Sequence, residues 1–156
     1  MQGYTGDQEI AKQAVAALRT ALKERFIAAV LFGSRARGDA HEESDWDLLV
    51  IVEGLPEKAF ARHLFLQRLL PPGCRGAVSL LAKTSTKFEA HLPPLHLDIA
   101  LDGQILYDPH EYAAKRLSTL RRIIAKAGLY RDRAEAGDVW RWQKEPPASW
   151  TLEWER

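Results

Sequence analysis

Apolar positions change their period several times along this chain, and each change predicts an element. From residue 8 to 25 they recur at helical spacing, with Ile10, Ala14, Ala17, Leu18 and Leu22 on one side and Asp7 placed as an N-cap. The apolar run Ala28 to Phe32 reads as a strand that stops at Gly33, and Leu48 to Val52 as a second buried strand whose first residues, Asp45-Trp46-Asp47, are acidic. Gly54-Leu55-Pro56 breaks the chain, and a helix is expected over 57–70, before Pro71-Pro72-Gly73. Residues 75–83 predict a third strand and 84–90 a short helix. Over 95–101 the odd positions are apolar and the even ones polar or small, so alternation predicts a fourth, half-buried strand. After Gly103, Ile105-Leu106-Tyr107 returns as a brief fifth strand, and a helix over 110–126 begins after Asp108-Pro109 and stops near Gly128.

These elements predict an α+β fold: a small mixed β-sheet with helices on one face and acidic side chains on the open one. The expected domain covers 1–128, and 129–156 is a C-terminal extension. Four of the chain's five tryptophans, Trp140, Trp142, Trp150 and Trp154, lie in that extension around Pro146-Pro147. Such rings either fold back over the domain or anchor an interface with a partner or a second copy of the chain.

At 156 residues, 46% of them hydrophobic, the chain has material for one core. Lys and Arg number 22 against 21 Asp and Glu, a net charge of +1, so nucleic acid is not expected as a principal partner. Cys74 is the single cysteine, which excludes an internal disulfide and fits a reducing compartment. The N-terminus shows no basic stretch followed by an apolar one, and no run approaches membrane-spanning length, so a cytoplasmic protein is expected.

The candidate chemistry sits between the first two strands. Gly33 can take backbone angles closed to other residues, Ser34 adds a hydroxyl, and a turn of this kind leading into a helix gathers amides around an anion. Arg35 and Arg37 follow at once and supply positive charge against phosphate oxygens. On a strand Asp45 and Asp47 share one face while Trp46 points away. Two such carboxylates repel unless a cation lies between them, and Mg²⁺ takes one or two protein carboxylates with water and phosphate oxygens. A third carboxylate is offered by the strand over 95–101, where His96, Asp98, Ala100 and Asp102 share the polar face. Asp98 is the choice, because Asp102 precedes Gly103 and reads as a turn former.

Gly33-Ser34, ten residues, Asp45-x-Asp47 with Leu48 following, and a later strand carrying Asp98 together resemble the DNA polymerase β-type nucleotidyltransferase superfamily. Within it the chain is similar to the minimal nucleotidyltransferases, over residues 10 to 110. The resemblance implies a palm-like fold in which Gly33 and Ser34 hold the triphosphate of ATP, Asp45 and Asp47 bind two Mg²⁺ ions, and Asp98 completes the second ion site. It implies transfer of a nucleoside monophosphate, AMP above all, to a hydroxyl. Family members resembling this one are encoded beside a HEPN-type protein and adenylylate it as antitoxins, and others modify small molecules such as aminoglycosides. The alternative from a different class is a non-catalytic antitoxin or binding module that neutralises its partner by contact.

Overall fold

The computed structural model describes residues 8–134, 137–144 and 151–154. Helix α1 (Gln8–Leu22) forms where the apolar spacing predicts it, and buries Ala11, Ala14, Val15, Leu18 and Leu22. The expected cap at Asp7 lies outside the described residues. A 3₁₀ turn (Lys23–Arg25) leads into β1 (Phe26–Phe32), which ends at the short helix α2 (Ser34–Arg37). Then come β2 (Trp46–Val52), α3 (Ala59–Gln67), α4 (Pro72–Arg75), β3 (Val78–Lys83) and α5 (Ser85–Ala90), the last capped by Thr84, whose hydroxyl accepts the Lys87 N–H. The chain continues through α6 (Pro94–Asp102), β4 (Gln104–Tyr107) and α7 (Tyr112–Ala127) to a hairpin of β5 (Leu129–Ala134) and β6 (Gly137–Trp142). Asp108 starts α7 by accepting the N–H groups of Ala113 and Ala114 at 3.0 and 2.8 Å.

The main sheet has the order β3-β2-β1-β4, with β1 antiparallel to both neighbours and β2 parallel to β3. The fold is thus α+β with a mixed sheet, as the sequence predicts. The expectation of helices on a single face is corrected, because alternate residues of β2 enter two different cores. Trp46, Leu48, Val50 and Val52 pack with α1, Leu66 and Cys74, whereas Leu49 and Ile51 pack with Phe88, Leu97 and Leu117. The near-continuous apolar runs of β1 and β2 are what burial on both faces demands.

The second correction concerns 95–101, which is helix α6 and not a strand. Pro94 sits in its first turn, where the fixed φ suits a helix. Burial follows a helical face and not the alternation: His96, Leu97, Ile99 and Ala100 are buried, while Leu95 and Leu101 remain exposed. The last strand of the sheet is β4, the segment expected only as a brief return. Among the described residues no helix is long and apolar enough to cross a membrane.

Candidate functional site

Antiparallel pairing of β1 with β2 places Phe32 opposite Asp47, so the end of one strand meets the acidic start of the other. Gly33 follows with φ 74° and ψ −159°, angles that favour glycine. A Cβ built there would run into the Asp47 carboxylate, with Cγ only 3.2 Å away. Gly33 is therefore required both by its backbone and by the carboxylate seated against it. Its carbonyl accepts the N–H groups of Ala36 and Arg37, both at 3.1 Å, which starts α2. The amides of Ser34 and Arg35 come before these and have no intrahelical acceptor, so they are the donors this turn offers an anion.

Burial pushes the Asp47 carboxyl above its usual range, the charge of Asp45 pushes it further, and Arg37 offsets part of the rise. The pair is thus short of positive charge. Its donors are all oxygens, which fits a hard cation such as Mg²⁺ completing its shell with water and phosphate. Among the described residues no group of three or more His, Cys, Asp or Glu is placed to hold a metal, so the donor set here is the pair alone.

The two arginines divide. Arg35 donates to the Ser44 carbonyl from Nε at 3.2 Å and Nη2 at 2.9 Å, and stacks 4.5 Å over the ring of buried Trp46. It braces the 38–45 loop that delivers Asp45. Ser44 itself ties that loop, its hydroxyl accepting the His41 N–H at 3.0 Å. Arg37 stays beside the pair, with Nε 3.1 Å from Asp39 Oδ2 and Nη1 3.9 Å from Asp102 Oδ2.

Asp98 is not brought to Asp45 and Asp47 by the strand that was expected to carry it. From α6 its carboxylate accepts from Arg131 Nη1 at 3.2 Å and from Trp140 Nε1 at 3.1 Å. Arg131 also forms a two-pronged pair with Asp102 at 2.6 and 2.7 Å, which holds the guanidinium firmly charged. The two outer strands of the main sheet carry no acid: β3 reads Val78-Ser79-Leu80-Leu81-Ala82-Lys83 and β4 Gln104-Ile105-Leu106-Tyr107. The β3 residue in register with Asp47 is Ser79. Asp102, read from sequence as a turn former, is instead the centre of the Arg131 clasp. Its i, i+4 spacing from Asp98 puts both on one helical face, a signal that a helical reading would have exposed.

His96, expected on the polar face, is 3% exposed and packs against Phe88 at 4.4 Å between ring centroids. Burial, with the charge of Lys83, lowers its pKa to about 4. Cys74 is buried and its thiol is pushed upward by that burial, so it is no nucleophile. Of the tail tryptophans, Trp140, Trp142 and Trp154 pack against the second core, and Trp154 Nε1 donates to the His91 carbonyl at 3.0 Å. Trp150 lies outside the described residues.

A family model described as a nucleotidyltransferase domain matches residues 15–135. The chain is 31% identical over 105 residues to a Methanocaldococcus jannaschii protein that carries the name protein adenylyltransferase, covering 64% of this chain and 71% of that protein. A second M. jannaschii protein so named is 46% identical over 48 residues, 31% of this chain and 48% of its own length. Among solved structures, a toxin–antitoxin with AMP-PNP superposes with a TM-score of 0.51 at 19% identity, covering 74% of this chain and 90% of that one. A mutant of the toxin–antitoxin MntA-HpeT gives 0.50 at 19% identity, covering 74% and 89%. At such identities the likeness is one of fold.

Proposed function

The chain belongs to the nucleotidyltransferase domain family, and from that footing we propose that it moves AMP from ATP to a hydroxyl of a protein. The observation that carries this reading is the Asp47 carboxylate seated against Gly33, with the charge of Asp45 close enough to raise its pKa and that of Arg37 offsetting part of the rise. The adenylyltransferase name of the M. jannaschii relatives supports AMP and a protein acceptor. Residues 1–128 would form the catalytic unit and 129–156 an extension that clasps α6.

In this reading Gly33, Ser34 and the amides that open α2 hold the triphosphate, and Arg37 adds charge at its flank. Arg35 acts through the loop it braces and not on phosphate. Asp45 and Asp47 would hold Mg²⁺, which when bound neutralises the triphosphate and acidifies the acceptor hydroxyl. The acceptor oxygen attacks the α-phosphorus, the bond to the pyrophosphate oxygen breaks, pyrophosphate leaves and the hydroxyl proton passes to water. The work of the chain is to position these groups and to stabilise charge.

One observation favours the second reading, a binding module: neither β3 nor β4 offers a third carboxylate, and Asp98 is taken up by Arg131. Incubation of the purified protein with α-labelled ATP, Mg²⁺ and a HEPN-type partner, the acceptor that the family resemblance names, separates the two. Label on the partner that vanishes with Asp47→Asn supports the enzyme. A stable complex with no label on either protein supports the module.

A further inference from the structure

Outside the carboxylate turn, a cleft lies between α1 and β4. Strand β4 is the last in the sheet, so its outer edge has no strand partner among the described residues. The cleft has a volume of about 820 Å³, and Val15, Ile105 and Tyr107 are among the residues that line it. Ile105 is 42% exposed there. Lys12, Arg19 and Lys23 line the same cleft, at a spacing that stacks them along one side of α1 and the turn after it. Arg19 lies 5.4 Å over the Tyr107 ring, and no described carboxylate pairs with any of the three cations. The Gln104 end of β4 touches the phosphate turn: its Nε2 donates to the Ala36 carbonyl at 3.1 Å, while its Oε1 accepts from Gln8 at 3.3 Å. The cleft thus leads along β4 to α2.

We propose that this cleft docks an extended, acidic segment of the acceptor protein, which adds as a strand to the edge of β4 and is thereby led toward the Gly33 turn. The inference rests on the proposed transfer to a protein hydroxyl and names how that protein is held. An unpaired strand edge offers alternating amides and carbonyls that a polypeptide backbone satisfies and a polynucleotide does not. The apolar floor takes every second side chain of an added strand, and Lys12, Arg19 and Lys23, which pair with no described carboxylate, select carboxylates for the others. The net charge of +1 supplies no broad field for a nucleic acid.

The test uses a fluorescent peptide of alternating Glu and Val with a central Tyr, titrated against the full chain and followed by anisotropy without nucleotide. Binding is expected to weaken at least about tenfold in Lys12→Glu with Arg19→Glu, and comparably when alternate peptide amides are N-methylated. Thermal melts confirm that the variant is folded, and a second variant, Ile105→Glu, is expected to show the same loss. Equal binding by wild type and both variants overturns the proposal, as does no binding by wild type. Cleft-dependent binding of poly(U) in preference to the peptide overturns it in favour of RNA. Mg²⁺·ATP titrated separately keeps the two readings apart: peptide binding without nucleotide binding sinks the transferase and leaves the docking cleft, and the reverse sinks the cleft alone.

Discussion

Two pairs of aspartates in this chain have opposite fates. Asp47 lies in the first turn of pleat of β2 against a glycine turn, Asp45 ends the loop before it, and among the described residues Arg37 is the cation whose charge lowers the pKa of Asp47. Asp98 and Asp102 lie one helical turn apart on α6 and share Arg131, whose side chain is 11% exposed and which reaches Asp138 as well at 3.5 Å. In the proposed reading the first pair takes a cation from outside the protein. The second has its cation already, brought by the hairpin, and its work is to fasten β5 and β6 onto the domain. Identical side chains thus become site or clasp according to what the rest of the chain sets against them.

Removing the carboxylate charge from the first pair gives the largest expected effect. Asp47→Asn is expected to reduce AMP transfer at least about a hundredfold, or about 2.7 kcal/mol, without lowering the melting temperature of the metal-free protein. Rates and melts on one preparation check both halves. In the second pair the effect falls on stability. Arg131→Met strands two partly buried carboxylates, and about 2–3 kcal/mol of stability should go with it, a fall of roughly 5–10 °C by calorimetry. A melt unchanged within two degrees or so would show that the clasp carries no weight.

Gly33→Ala attacks the seat that the first pair shares with the turn. The methyl meets the Asp47 carboxylate and the positive φ is strained, so stability is expected to drop by about 1–3 kcal/mol and Mg²⁺·ATP affinity to collapse. Titration calorimetry checks the second point. The smallest effect is that of pH. Since Asp47 is raised above its ordinary 3.8, the folded protein binds its proton more tightly than the unfolded chain does. The metal-free protein should therefore gain a little stability as pH falls through the raised value, while Mg²⁺ binding weakens over the same range. Denaturant titrations of wild type against Asp47→Asn, whose curve should lack that feature, read the difference.

Much of this contrast was legible in the sequence, and the limits of that reading are physical. The turn at Gly33 and the acidic start of β2 are local patterns, and each fell where spacing put it. The strand expected to carry the third acid is a helix because seven residues of alternating pattern, 95–101, fit a strand and a helix equally well, and Pro94 with the packing of Leu97 and Ile99 decides for the helix. No sequence pattern shows that the Arg35 guanidinium, read as a phosphate contact, stacks on Trp46. Arg131 was invisible for the same reason: nothing near it in the chain announces a partner at Asp102. The hairpin itself passed unread, since LYRDRA and GDVWRW show little apolar alternation and are linked across the pair by charged side chains, Arg141 with Asp132 and Arg131 with Asp138.

The central claim is that the ion-holding carboxylates are Asp45 and Asp47 and that Asp98 belongs to the clasp. Calorimetric titration of Mg²⁺·ATP into wild type, Asp47→Asn and Asp98→Asn under one set of conditions tests it directly. The account predicts that Asp98→Asn binds within about threefold of wild type, a difference of about 0.65 kcal/mol, while Asp47→Asn loses at least about a hundredfold. Loss of binding in Asp98→Asn with retention in Asp47→Asn would contradict it.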